Sequence, residues 1–194
     1  MDDDRSEGWE EIADRFIAAR SRIGADLVQD WARRHLRAGD VVLDIGCGSG
    51  VPIAEVLLAA GFRVFGVDAS PTLVAAFRRR FPAAEAACEA AQDSVFFGRR
   101  FDAAVAIGLI FLLRPEAQRA VIARTARALA PGGHFLFTAP RQACGWTDTL
   151  TNRPSHSLGL DAYRELLDQS GLRLVATYAD EGDNHYLHAT RAPG

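Results

Sequence analysis

Two rhythms of apolar residues alternate along this chain. Short, almost unbroken apolar runs at residues 41–45, 62–67, 102–108 and 135–139 read as buried strands, and a weaker alanine-rich run at 84–88 reads as another. Between them, helical patterns cover 52–60, 71–80 and 115–129. Gly61 closes the first, and Pro131-Gly132-Gly133 follows the last. Upstream, Trp9, Ile12, Ala13, Phe16 and Ile17, then Ile23, Leu27, Val28 and Trp31, recur at helical spacing, with a break at residues 20–24 that predicts two helices. Downstream come a helix over 160–170, stopped by Gly171, and strands over 172–178 and 183–190.

Strands alternating with helices predict an α/β fold, a doubly wound and mostly parallel sheet with helices on both faces. The last two strands are joined only by Asp180-Glu181-Gly182-Asp183, too short for a parallel crossover, so that pair is expected to be antiparallel. Residues 140–160 are rich in turn formers and show no clear element, which reads either as a functional loop or as a solvated connection. One domain over 1–194 is expected. In it, 1–38 form the N-terminal helices, 39–139 a ligand-binding core, 140–160 the loop and 161–194 the closing helix and strand pair.

The most informative stretch is Leu43-Asp44-Ile45-Gly46-Cys47-Gly48-Ser49-Gly50. A strand that runs into alternating glycines lets the backbone turn sharply and come close to a bound molecule, because no Cβ intrudes. Dinucleotide-binding loops are usually spaced G-x-G-x-x-G after a fully apolar strand. Here the spacing is G-x-G-x-G, and Asp44 puts a carboxylate at the strand end. An acid in that place suits a ligand carrying positive charge better than a pyrophosphate. Asp68, at the end of the second strand, stands where it can accept both hydroxyls of a ribose, and Ser70-Pro71 reads as a helix cap and first turn.

On these residues the chain resembles the class I S-adenosylmethionine-dependent methyltransferases, over roughly residues 40–190. The resemblance implies the seven-stranded form of the fold, S-adenosylmethionine as cofactor and S-adenosylhomocysteine as product. It implies cofactor contacts from Asp44, Gly46, Cys47 and Gly48, from Asp68, Ala69 and Ser70, from Ala91 and Gln92 near adenine, and from Ile107 and Gly108 at the methionine end. In this family the N-terminal helix lies over the cofactor, where an Arg meets the methionine carboxylate, and Arg20 and Ser21 match that role. Acceptor contacts are expected from Trp9, Phe16, Trp146 and His156. The element around His134 is structural in the family, and His134 is given no chemistry.

Methyl transfer from a sulfonium is a direct displacement. The protein mainly aligns and desolvates, work that accounts for roughly 7–11 kcal/mol of a barrier. If the acceptor must lose a proton, His156 or His185 are the candidate bases. No metal constellation is evident in the sequence.

Composition narrows the partners. A net charge of −3 gives no electrostatic footprint for nucleic acid or an anionic membrane. The Asp/Asn-Pro-Pro-aromatic element of base amino-methyltransferases is absent after residue 106, as is a Pro-Cys nucleophile. All 22 basic residues are Arg, which excludes lysine chemistry. Three cysteines are too few for a disulfide framework or a zinc site. The acidic start lacks a secretory signal and no apolar run reaches membrane-spanning length, so the expectation is a cytoplasmic enzyme with a small-molecule acceptor. Two alternatives stay open: an NAD(P)-dependent oxidoreductase, which shares the glycine loop and Asp68, and a non-catalytic regulator that binds S-adenosylmethionine.

Overall fold

A computed structural model describes residues 5–193, so the first four residues, which carry the acidic start, lie outside the described residues. The elements in order are α1 (Ala13–Ala19), α2 (Ala25–His35), β1 (Val41–Ile45), α3 (Ile53–Ala59), β2 (Arg63–Asp68), α4 (Pro71–Arg80), β3 (Glu85–Cys88) and β4 (Phe101–Ala106). They continue with α5 (Pro115–Ala128), β5 (Leu129–Thr138), β6 (Ala143–Thr147), β7 (Pro154–Leu158), α6 (Leu160–Gln169), β8 (Leu172–Ala179) and β9 (His185–Arg191).

Seven strands form one sheet in the order β3-β2-β1-β4-β5-β9-β8. The first five are parallel, and β9 runs antiparallel to both β5 and β8, as the short acidic turn requires. Alternation along β1 sends side chains to opposite faces. Val42 joins Val28, Trp31, Leu57 and Phe77 beneath α2, α3 and α4, whereas Leu43 joins Val121, Ile122, Tyr163 and Leu167 beneath α5 and α6. Both sets are almost fully buried, and each large aliphatic side chain contributes about 1.5–3 kcal/mol by leaving water. Strand order reverses direction between β1 and β4, so a crevice opens at their carboxyl ends.

Three stretches differ from the sequence expectation. The first helix starts at Ala13 rather than at Trp9, and residues 5–12 form turns. The fifth strand starts at Leu129 and takes in Pro131-Gly132-Gly133, with its register against β4 shifting between Phe101 and Ala103. The largest difference lies at 140–160, where β6 and β7 make a two-stranded hairpin. Its inward residues Ser155 and Ser157 are buried but polar, so no apolar alternation marks the strand. The turn is held by the Asp148 carboxylate, which accepts from the Leu150 and Thr151 amides and the Thr151 hydroxyl.

Candidate functional site

The crevice over the ends of β1 and β4 encloses about 320 Å³. Its floor is the glycine turn after β1. The Gly46 and Cys47 amides both donate to the Val67 carbonyl, at 2.7 and 3.1 Å, which anchors the turn to the end of β2. Gly46 has φ +71°, and a Cβ there would come within 3.1 Å of the Leu109 side chain. The next amide, that of Gly48, donates to Asp68 Oδ2 at 2.8 Å, and the Ser70 amide donates to Asp68 Oδ1 at 2.9 Å. Burial raises the Asp68 carboxyl above the usual carboxylate range, and these two amides work against that rise.

Asp44 is different. It is 2% exposed, it lines the crevice, and its Oδ2 is buried without a hydrogen-bond partner. Burial, reinforced by the charge of Asp68, pushes it up to about 7, while Arg20 pulls the other way. An unsatisfied buried carboxylate oxygen is expensive, by about 1–3 kcal/mol or more for a charged group. A cationic ligand group reaching the crevice wall removes that cost. Arg20, just after α1, donates from Nε to the Val51 carbonyl at 3.2 Å and lies 5.2 Å from the centre of the Phe16 ring. Burial lowers its pKa, and Asp44 is its first opposing charge. One wall of the crevice thus offers both a carboxylate and a guanidinium, complementary to a zwitterion.

Two chain segments roof the crevice. Trp9 and Phe16 meet edge to face with ring centres 5.0 Å apart, and both line it. Glu10 fastens this segment to the start of α4: its carboxylate accepts from the Thr72 amide at 3.1 Å, the Thr72 hydroxyl at 2.7 Å and the Ser70 hydroxyl. From the other side the hairpin turn contributes Asp148 and Leu150, and Arg153 pairs with Glu7 at 3.4 Å. Gly24, at φ +80°, joins α1 to α2 against Tyr186, where a Cβ would collide with the phenol oxygen. Tyr186 donates to Asp180 Oδ2 at 2.8 Å, and both face the crevice with Asn184. Burial opposes ionisation of Asp180, yet bonds from Asn184 and Tyr186 prevail and hold it below the usual carboxylate range.

The crevice brings together Trp9, Phe16, Arg20, Ser21, Asp44, Gly46, Cys47, Gly48, Asp68, Ala69, Ala91, Gln92, Ile107 and Gly108, all expected from the sequence. Four expected residues stand outside its lining. Ser70 is fully buried, its hydroxyl spent on the Leu73 amide and Glu10 in capping α4. Trp146 packs on Phe111, 5.5 Å between ring centres, and it is Phe111 that faces the crevice. His156 sits in β7 opposite Gly145, where its carbonyl accepts from Gln118. His185 begins β9 opposite Ala179, outside the lining. Among the residues that the sequence did not disclose are Glu10, Phe111, Thr138, Asp148, Leu150, Asp180, Asn184 and Tyr186. Thr138 accepts the Gly108 amide on its hydroxyl at 2.7 Å and so fixes the turn after β4.

Comparison with known proteins agrees with this geometry. A family model described as a methyltransferase domain matches residues 42–133. The carboxy-S-adenosyl-L-methionine synthase of Chromohalobacter salexigens is 31% identical over 182 residues, covering 76% of this chain and 67% of that protein. Two crystal structures share the fold. The 1,6-didemethyltoxoflavin-N1-methyltransferase of Burkholderia thailandensis, with 1,6-didemethyltoxoflavin and S-adenosylhomocysteine bound, has a TM-score of 0.78 at 20% identity, over 97% of this chain and 87% of that one. The magnesium protoporphyrin IX methyltransferase of Synechocystis PCC 6803, with S-adenosylmethionine bound, has a TM-score of 0.76 at 16% identity, over 99% of each chain. No helix among the described residues is long and apolar enough to cross a membrane. With its strand order, its glycine turn flanked by two acids and these matches, the chain belongs to the class I S-adenosylmethionine-dependent methyltransferases.

Proposed function

We propose that the crevice binds S-adenosylmethionine in one orientation and that the chain methylates a small, largely apolar acceptor entering beneath the roof. The observation that carries this reading is Asp44 Oδ2, buried and unpartnered beside the glycine turn. Asp44 would receive the ligand's ammonium, and Arg20 its carboxylate, a charge-assisted contact of the stronger kind. Asp68 keeps acceptor capacity beyond its two amide bonds and would take the ribose hydroxyls. Ala91 and Gln92 would border adenine, and Ile107 and Gly108 the methionine chain.

When bound, the cofactor supplies a methyl group on a sulfonium that is already activated for displacement. The chain's own residues then align and dry the site. Trp9, Phe16, Phe111, Leu112 and Leu150 give an apolar lining against which an acceptor can be held in line. Two fold neighbours whose names give small molecules as acceptors support that class. His156 and His185 stand outside the crevice lining, and Asp180, which faces it, has both carboxylate oxygens engaged by Tyr186, Asn184 and the Gly182 amide. No general base is therefore assigned, and transfer rests on alignment and desolvation.

The test has two arms. Thermal shift with S-adenosylmethionine, S-adenosylhomocysteine and NAD should raise the melting temperature for the first two only. Transfer of a labelled methyl group to members of a panel of aromatic and aliphatic small molecules should then be abolished by Asp44→Asn. Stabilisation by NAD alone would overturn the reading of the cofactor, and binding without transfer to any acceptor would leave a regulator rather than an enzyme.

A further inference from the structure

Away from the crevice, three histidines from distant parts of the chain converge. His35 ends α2, His134 lies in β5 opposite Ala103, and His188 lies in β9 opposite Leu136. Ala103 sits early in β4, whereas the crevice opens beyond its end. One ring nitrogen from each of the three lies within 4.8 Å of the others. The His134 Nδ1 and His188 Nε2 atoms face each other at 2.9 Å, and the rings of His35 and His188 are 4.6 Å apart between centres.

We propose that His35, His134 and His188 bind one divalent transition-metal ion of the class that prefers imidazole, zinc foremost, and that the ion clamps the end of α2 to the antiparallel side of the sheet. This site is independent of the cofactor crevice. Zinc holds nitrogen ligands at about 2.0–2.1 Å in a tetrahedron, which sets neighbouring nitrogens about 3.3 Å apart. His134 and His188 need to part by only a few tenths of an ångström to reach that spacing. His35 is exposed, so its ring can swing inward, and its open side gives the ion a way in and leaves a fourth position to water.

Two further features fit a metal. Ligating histidines characteristically use the second ring nitrogen on a supporting group that fixes the ring, and His188 Nδ1 lies 3.3 Å from the Tyr178 hydroxyl. Neutral imidazole is the ligating form, and the half-buried His134 and buried His188 stand against the edge of the Trp31 ring, in a partly dried pocket of the kind that holds such a ligand. Nothing in the order of residues announces this site, because no two of the three histidines stand at a metal-motif spacing.

Trp31 supplies a built-in reporter. Its ring stands edge-on to His188, 5.4 Å between centres at 90°, and to His134, 6.3 Å at 85°. The test uses metal-free protein lacking any affinity tag. Calorimetric titration with zinc near neutral pH should give one ion per chain. His35→Gln, a change at an exposed position, should weaken binding by at least about tenfold, since even outer supports of a metal histidine are worth about 10–100-fold. Copper should quench tryptophan emission in the native chain, and Trp31→Phe should remove most of that quenching while leaving zinc binding intact. Absence of stoichiometric zinc binding, affinity unchanged in His35→Gln, or quenching that survives in Trp31→Phe would each overturn the proposal.

Discussion

The Gly48 amide donates to Oδ2 of Asp68 at 2.8 Å, so the turn after β1 and the acid ending β2 form one unit. Asp68 thus shapes the crevice floor as well as offering oxygens to a ligand. Hydrogen bonds to a charged group contribute about 1.5–3 kcal/mol. Asp68→Ala should weaken S-adenosylmethionine binding by at least tenfold and also lower the melting temperature, because two amides lose their acceptor. Calorimetry that finds affinity unchanged would remove Asp68 from the ribose role.

Asp44 gives a prediction with a defined sign in pH. Its carboxyl, pushed up to about 7 by burial first and Asp68 second, is only partly ionised at neutral pH in the cofactor-free chain. Receiving an ammonium requires the carboxylate, so affinity for S-adenosylmethionine should rise with pH up to about 7 and level off above. Asp44→Asn should bind weakly and lose this slope. Stability moves the other way. A carboxyl raised in the fold contributes stability that is complete below its unfolded value of 3.8 and lost as pH rises through about 7. Without cofactor at pH 8, Asp44→Asn should therefore melt above the native chain, by a difference of up to about 4 kcal/mol. Melting curves at acid and alkaline pH check the sign.

What could be read from the sequence was local. Asp44 stands out because a charge inside an apolar strand is costly and so marks a ligand, and alternating glycines after it need no distant partner to be noticed. Asp68 follows from its place at the next strand end. The alternation of strand and helix patterns likewise placed helices on both faces of the sheet, and the short acidic turn at 180–183 the antiparallel close. The hairpin was not legible, since Ser155 and Ser157 point inward where apolar residues would have announced a strand. Nor was Glu10, whose partners Ser70 and Thr72 lie some sixty positions away, or the meeting of Tyr186, Asp180 and Gly24. Periodicity tells which face of an element is covered. It does not tell which distant residues converge over a cleft.

Glu10 is the fastening of the roof. Its carboxylate takes the Thr72 amide and hydroxyl and the Ser70 hydroxyl, and it sits at the positive end of α4. Glu10→Ala should release the segment that carries Trp9. Limited proteolysis should then cut within residues 5–12 faster than in the native chain, and S-adenosylmethionine should protect it less. An unchanged cleavage rate would show that Glu10 is not what fastens the segment, leaving the Trp9–Phe16 contact and the Glu7–Arg153 pair to hold it.

Gln118 joins the hairpin to the core. It is fully buried in α5, its Nε2 donates to the Leu113 and His156 carbonyls at 2.8 Å each, and its Oε1 accepts from the Tyr163 hydroxyl at 2.8 Å. Leucine is close in volume but satisfies none of these groups, and each buried polar group left without a partner costs about 1–3 kcal/mol. Gln118→Leu should thus destabilise the chain by about 2–4 kcal/mol in urea unfolding. Because Gln118 lies outside the crevice lining, affinity for S-adenosylmethionine should stay within a few-fold while labelled methyl transfer falls, as the hairpin that carries Asp148 and Leu150 loses its anchor. Equal losses in cofactor binding and transfer would mean instead that the hairpin supports the cofactor side of the cleft.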